Sequence, residues 1–174
     1  MEWNLHYPRW MIDDGSPDRR QDETFNWTAV EFWNEAPFAS TSEREKSAAP
    51  VGDYEYRVVA KVLYVGDATC IIDFGLQAIS YRDQIQSGCR DGDYVTGHVS
   101  LGLADYTFVA PESVFKDLRY AWHVNRISAD LTPYVPRLQG GWIRDASNVR
   151  YSLAASTDEV QTHSYILHCT AMGS

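Results

Sequence analysis

Apolar and polar residues alternate along much of this chain, and the alternation runs with a period of two. In residues 53–65, Tyr54, Tyr56, Val58, Ala60, Val62 and Tyr64 share one side of an extended strand. Glu55, Arg57, Val59, Lys61, Leu63 and Val65 share the other. The "GDA" at 66–68 supplies a hairpin turn. "TCIIDF" (69–74) returns as a buried strand, Gly75 bends it, and "LQAISY" (76–81) carries it on. "YVTGHVSLGL" (94–103) alternates with Val95, Gly97, Val99, Leu101 and Leu103 inward. Further strands are expected at "RYAWHVNRISADL" (119–131), "VRYSLAAS" (149–156) and "VQTHSYILHCTAM" (160–172), the last two as a hairpin about "TDE". "DYTFVA" (105–110) reads as another strand and "TPYVPRLQGG" (132–141) as a loop.

Near the N-terminus, Trp3, Leu5 and Tyr7 suit a short strand ended by Pro8. "TFNWTAVEFWNE" (24–35) alternates as Phe25, Trp27, Ala29 and then slips to Val30, Phe32, which predicts a bulged strand. Residues 36–52 are small, polar and proline-flanked, the pattern of a linker or mobile loop, with a short helix over 41–48 as the alternative. "PESVFKDL" (111–118) has proline at a first-turn position and apolar residues at helical spacing, and is the one short helix expected.

The sum predicts a mostly β fold: a small antiparallel barrel, compatible with an OB-like Greek key, carrying additional strands and one short helix. At 174 residues a single domain is expected, with 1–52 as N-terminal strands and loop, 53–110 as barrel core and 111–174 as helix and C-terminal strands. The chain is 44% hydrophobic, yet no stretch approaches the roughly 20 apolar residues of a membrane span. "MEWNLHYPRW" lacks a basic segment followed by an apolar one, so no secretory leader is expected. Cys70, Cys89 and Cys169 have no metal-like spacing and read as free thiols of a reducing compartment, which points to the cytoplasm.

Charge changes the picture most. Of the formal net charge of −9, all the excess lies in residues 1–110, with 18 acids against 9 bases; residues 111–174 are balanced at 6 and 6. Such a field repels phosphate backbones and attracts basic partners. The aromatics Tyr54, Tyr56, Tyr64 and Tyr81 suit base stacking, but the 53–110 block offers only Arg57, Lys61, Arg82 and Arg90 against eight acids. Nucleic acid is therefore not the expected partner.

Motifs for chemistry are sparse. The histidines His6, His98, His123, His163 and His168 include no His-x-His pair, so no metal is expected, and no cofactor motif is present. Asp73, set in an apolar strand beside Gly75, is the one carboxylate placed for acid–base work, with His98 or His123 as its partner. Ser100 in "HVSLG" lacks the strand-to-helix turn of a nucleophile motif.

What remains is an acidic, aromatic surface. Asp13, Asp14, Asp18, Asp22 and Glu23 crowd the first loop, with Trp10, Trp27 and Trp33 flanking it; Asp67, Asp91 and Asp93 fall in turns of the barrel. Aromatic anchors ringed by charge suit a protein interface. The expected function is a non-enzymatic module that binds a basic protein, in its most concrete form an immunity-type inhibitor of a basic toxin such as a nuclease. Two other readings stand beside it: an OB-type nucleic-acid or oligosaccharide binder using the tyrosine face, and a small barrel enzyme or ligand binder centred on Asp73.

Overall fold

A computed structural model describes residues 1–27, 29–104, 108, 118–130, 134–136, 142–144, 150–153 and 164–172. The described strands are β1 (Glu2–Pro8), β2 (Thr24–Trp27), β3 (Val30–Trp33), β4 (Ala39–Ser40), β5 (Ser47–Pro50), β6 (Glu55–Val65), β7 (Thr69–Asp73), β8 (Gln77–Tyr81), β9 (Tyr94–Leu103), β10 (Tyr120–Asp130), β11 (Tyr134–Pro136), β12 (Trp142–Arg144), β13 (Arg150–Leu153) and β14 (Ser164–Met172). A single helical turn, α1 (Arg9–Asp13), follows β1, and a 3-10 turn occupies Arg82–Gln84.

Five strands close on themselves in the hydrogen-bonded order β6-β7-β8-β3-β9 and back to β6. The fold is thus mostly β, a closed five-stranded barrel with additional strands and one short helix. The barrel is mixed, since β3 runs parallel to β8. Strand β6 makes closure feasible: it is eleven residues long, its register shifts between Val62 and Tyr64, and it serves β9 and β5 with its first half and β7 with its second. Tyr56, Val58, Ala60 and Val62 fill the interior, as the alternation requires.

A second layer is welded on through β1, which pairs parallel to β9 at His6 and Gly102 and antiparallel to β14. β10 lies on the far side of β14 and carries β13 and β2. Trp3 seals the joint, its ring centroid 5.3 Å from Tyr56 and 5.7 Å from Phe74. One apolar cluster therefore runs from the barrel interior under β1, β10 and β14. A smaller cluster lies outside the barrel, where Phe108 and Leu118 pack on Ile71 and Ile79 with Ala29 and Ala104. Strands β7 and β8 are covered on both faces, which is why "TCII" shows no alternation.

Several expectations change. The slip between Trp27 and Val30 is a change of partner and not a bulge within one strand: β2 pairs with β10, while β3 joins the barrel. Residues 36–52 hold β4 and β5, and β5 is fixed along β6. β13 and β14 do not form a hairpin; both pair with β10, which lies between them. The expected loop at 132–141 holds β11, which pairs with β12 just after it. Among the described residues the short helix is α1, begun after Pro8 and ended before Gly15 at φ 100°; the helix expected over 111–118 lies outside the described residues except for Leu118. The strand expected at 105–110 also lies outside them, apart from Phe108. No helix among the described residues is long and apolar enough to cross a membrane.

Burial sets an alkaline limit on this core. Cys70 and Cys169 have their thiol pKa pushed by burial from 9.0 up to about 12. Burial also raises the phenols of Tyr7, Tyr56 and Tyr120 above 10.0. All five groups hold their protons more tightly when folded, so the unfolded chain binds fewer protons once pH passes its own thiol pKa near 9. Their contribution is complete below pH 9 and is lost as pH rises toward 12. The melting temperature is expected to fall steadily between pH 9 and 11 and to stay level between 7 and 8.5. A flat profile to pH 11 refutes the assignment.

Candidate functional site

The first loop keeps some of the expected features and loses others. Trp10 is half exposed and borders a hollow of about 420 Å³ with Met11, Asp14, Ser16, Pro17 and Trp27. Asp13, Asp14, Asp18 and Asp22 are exposed, and Glu23 is half-buried. Trp27 is a core residue and not a surface anchor: its indole N–H donates to the Ala104 carbonyl at 2.9 Å. Arg19 is drawn inside as well. Its guanidinium stands 4.1 Å from the Phe25 ring centre and 5.4 Å from that of Trp27, with Glu23 at 3.4 Å. Arg9 pairs with Asp13 at 3.1 Å. Two of the five loop acids thus answer arginines of the same segment.

Asp67 lies in the β6–β7 turn, where it lines an open hollow with Arg82 and Asp83. Asp91 and Asp93 precede β9, and Asp93 accepts the Arg90 N–H at 2.9 Å. The parallel register of His6 with Gly102 fixes where these sets lie. The first loop leaves β1 just beyond His6, whereas the 91–93 turn enters β9 eight or more residues before Gly102. About 26 Å of strand lies between Gly102 and the start of β9. Asp13 and Asp14 therefore stand toward one end of β9 and Asp91 and Asp93 at the other, while Asp22 and Glu23 fold back beside Val124 of β10; the acids are spread along the sheet instead of gathered in one patch.

Between those ends the barrel wall opens. β3 and β4 lie on the same edge of β9, Trp33 facing Ser100 and Ala39 facing Thr96. Residues 34–38 leave that edge. The amide N–H groups of Asn34 and Phe38 go to Gln84 instead, at 2.9 and 3.2 Å, and Pro37 has no N–H to give. The Leu101 N–H donates toward β6, at the Tyr54 carbonyl, and the Tyr94 carbonyl accepts from Thr41 on the other side. Alternation then directs the His98 N–H and C=O into the opening. Phe38 turns inward to plug the core, and Gly97 makes room for it: a Cβ there would lie 2.6 Å from the ring.

The hollow so formed has a volume of about 720 Å³. Trp33, Tyr54, Glu35, Glu55, His98 and Ser100 line it, and its lining includes no lysine or arginine. Among the described residues no lysine or arginine lies within ion-pair reach of Glu35 or Glu55. Trp33, Tyr54 and His6 form an aromatic platform with centroids 5.0 to 6.0 Å apart and ring planes tilted by 39° to 70° to one another. Trp33 lies against Gly102, where a Cβ would come within 3.1 Å of the indole. Arg57 faces outward opposite His98 but does not line the hollow. Of the expected site residues only Trp33 belongs here. Glu35, Glu55 and the Trp33–Tyr54 pairing were not foreseen, and His98 and Tyr54 were expected in other roles; Pro37, at the start of the proline-flanked stretch, was the one available signal.

The acid–base couple expected at Asp73 is not assembled. Its carboxylate bonds Lys46 at 2.7 Å and accepts the Gly75 N–H at 2.9 Å. Asp73 faces Lys61 on β6, while His98 faces Arg57, four residues or about 13 Å along the strand. His123 faces Thr24 on β2. A separate polar network ties β1 to its neighbours: His168 meets Asn4 Oδ1 at 2.8 Å and Ser128 Oγ at 2.9 Å, and Asn4 donates to the Asp53 carbonyl at 2.6 Å. Among the described residues no three His, Cys, Asp or Glu side chains gather as a metal would need.

In comparisons with known proteins the chain matches no family model, no curated protein and no solved structure. The functional reading therefore rests on the geometry of the wall.

Proposed function

We propose that this protein is a non-enzymatic binding module whose partner is a basic protein, gripped at the opening beside β9. The observation that carries this reading is the pairing of Glu35 and Glu55, neither matched by a described cation, with the Trp33–Tyr54 platform in one hollow. Two carboxylates attract a cationic side chain over distance, and the platform offers desolvated contact area once it arrives. Inhibition of a basic enzyme such as a nuclease, by presenting negative charge to its substrate groove, is the concrete form this takes.

One observation bears on the nucleic-acid alternative. The order β6-β7-β8, then β9, with β3 inserted between β8 and β9, resembles the strand order of an OB-type barrel with its closing strand taken from upstream in the chain. OB barrels bind oligonucleotides across the outer face of their second and third strands. Here those strands are β7 and β8, and that face is covered by Phe108 and Leu118. The connectivity favours the fold of a nucleic-acid binder, and the covering disfavours its use.

The test is affinity capture at low ionic strength from the cells that make the protein, followed by association kinetics on the purified pair. The captured partner is expected to be basic, with an on-rate that falls about tenfold or more between 20 and 200 mM salt. An acidic partner, or an on-rate indifferent to salt, defeats the proposal.

A further inference from the structure

We infer that His98 makes the hollow a proton-sensitive grip: a cationic partner is held while the imidazole is neutral and is released when the imidazole takes up a proton. This rests on the basic-partner reading and adds to it a means of regulation.

The strand register sets the charges around this imidazole. His98 is exposed and lines the hollow together with Glu35 and Glu55. On the β6 side it faces Arg57 directly, at a cross-strand Cβ spacing of about 5 Å. Glu55 faces Ser100, which makes it a diagonal neighbour of His98 at about 7–8 Å. On the other side of β9 the 34–38 segment brings Glu35, and β4 beyond it offers Ala39 and Ser40, neither charged. β3 places Glu31 opposite Gly102, four residues or about 13 Å along β9 from His98. Four residues the other way is Tyr94, with Lys61 opposite it and the Arg44 guanidinium 5.0 Å from its ring centre.

The nearest set therefore decides the local balance. Arg57, Glu35 and Glu55 leave this stretch of wall with one net negative charge at neutral pH. A proton on His98 cancels it and stands a second cation beside Arg57. Histidine is the side chain whose charge ordinarily changes between pH 5 and 8, whereas glutamate stays ionised through most of that window. The attraction for a cation thus belongs to the alkaline side of the imidazole titration and fades on the acid side. A unit charge about 6–8 Å from a bound cation, in water, changes its affinity about threefold. His6, whose ring lies 5.0 Å from that of Tyr54, does not line the hollow.

The experiment is an NMR titration of the isotope-labelled full chain with tetralysine amide at low salt, at pH 7.5 and at pH 5.5. The probe is expected to shift the Trp33 indole and the His98 imidazole, and to bind about threefold more weakly at the lower pH. By reciprocity a saturating probe lowers the midpoint of the His98 titration by the same factor, about half a pH unit. His98→Gln, neutral throughout, is expected to bind equally at both pH values. His98→Lys, charged throughout, is expected to bind at both as weakly as the parent does at pH 5.5. Two results overturn the inference and leave the basic-partner reading standing: binding at the hollow that is indifferent to pH in the parent, or a pH dependence that survives in His98→Gln. A probe at millimolar concentration that moves neither Trp33 nor His98 overturns both.

Discussion

Trp3→Ala is expected to cost about 3–5 kcal/mol of folding stability, the range for emptying a buried tryptophan site. Trp3 is only 4% exposed, and its ring bridges the N-terminal strand to Tyr56 and Phe74 of the barrel. The neighbouring Asn4 N–H donates to the Tyr56 hydroxyl at 2.7 Å, so a loosened β1 would also disturb a part-buried hydrogen bond. Since a domain typically holds about 5–15 kcal/mol in all, this one change removes a large share. Urea unfolding followed by intrinsic fluorescence measures it, the midpoint falling while the slope stays the same. Trp10→Ala is the control. Trp10 is 50% exposed, and its removal is expected to stay within about 1 kcal/mol. If the two variants lose the same stability, the description of β1 as the weld between the layers is wrong.

That contrast also shows how far the sequence could be read. The alternation of Trp3, Leu5 and Tyr7 predicted a strand with those residues inward, and all three are buried. The run from Tyr56 to Val62, the 66–68 turn and the bend at Gly75 follow from local period and turn chemistry, and they are present. Pairing is another matter. β1 meets β14 across most of the chain length, and β3 meets β8 across some fifty residues. Nothing in the period of a strand names its neighbour, so the mixed order of the barrel and the separation of β13 from β14 were not legible. The site suffered most. Residues 33–37, 54–55 and 96–100 come from three distant segments, and their meeting depends on the register that closes the barrel. Charge counting put the weight on the first loop because it is dense in aspartate. It could not tell that Arg19 would turn inward to lie on Phe25, or that Glu23 would follow it.

Position, not net charge, should govern binding, and paired charge reversals separate the two. Glu35→Lys with Glu55→Lys is expected to weaken the complex with the captured basic partner about 100-fold. Like charges brought together at an interface cost several kcal/mol, and each 1.4 kcal/mol is a factor of ten. Asp91→Lys with Asp93→Lys changes the formal net charge by the same amount, but at the turn that precedes β9. These residues are exposed and do not line the hollow. With a Debye length of about 8 Å at physiological salt, reversals well outside the contact are largely screened. The second variant is therefore expected to bind within about threefold of the parent at 150 mM salt, and to diverge from it only at low salt. Calorimetry on both variants, after circular dichroism shows that each is folded, makes the comparison. Equal losses would mean that the partner answers to the overall field and that the opening beside His98 has no special part in recognition. A large loss confined to the Glu35–Glu55 variant would fix the contact on the barrel wall, because the two proteins differ only in where the same charges were placed.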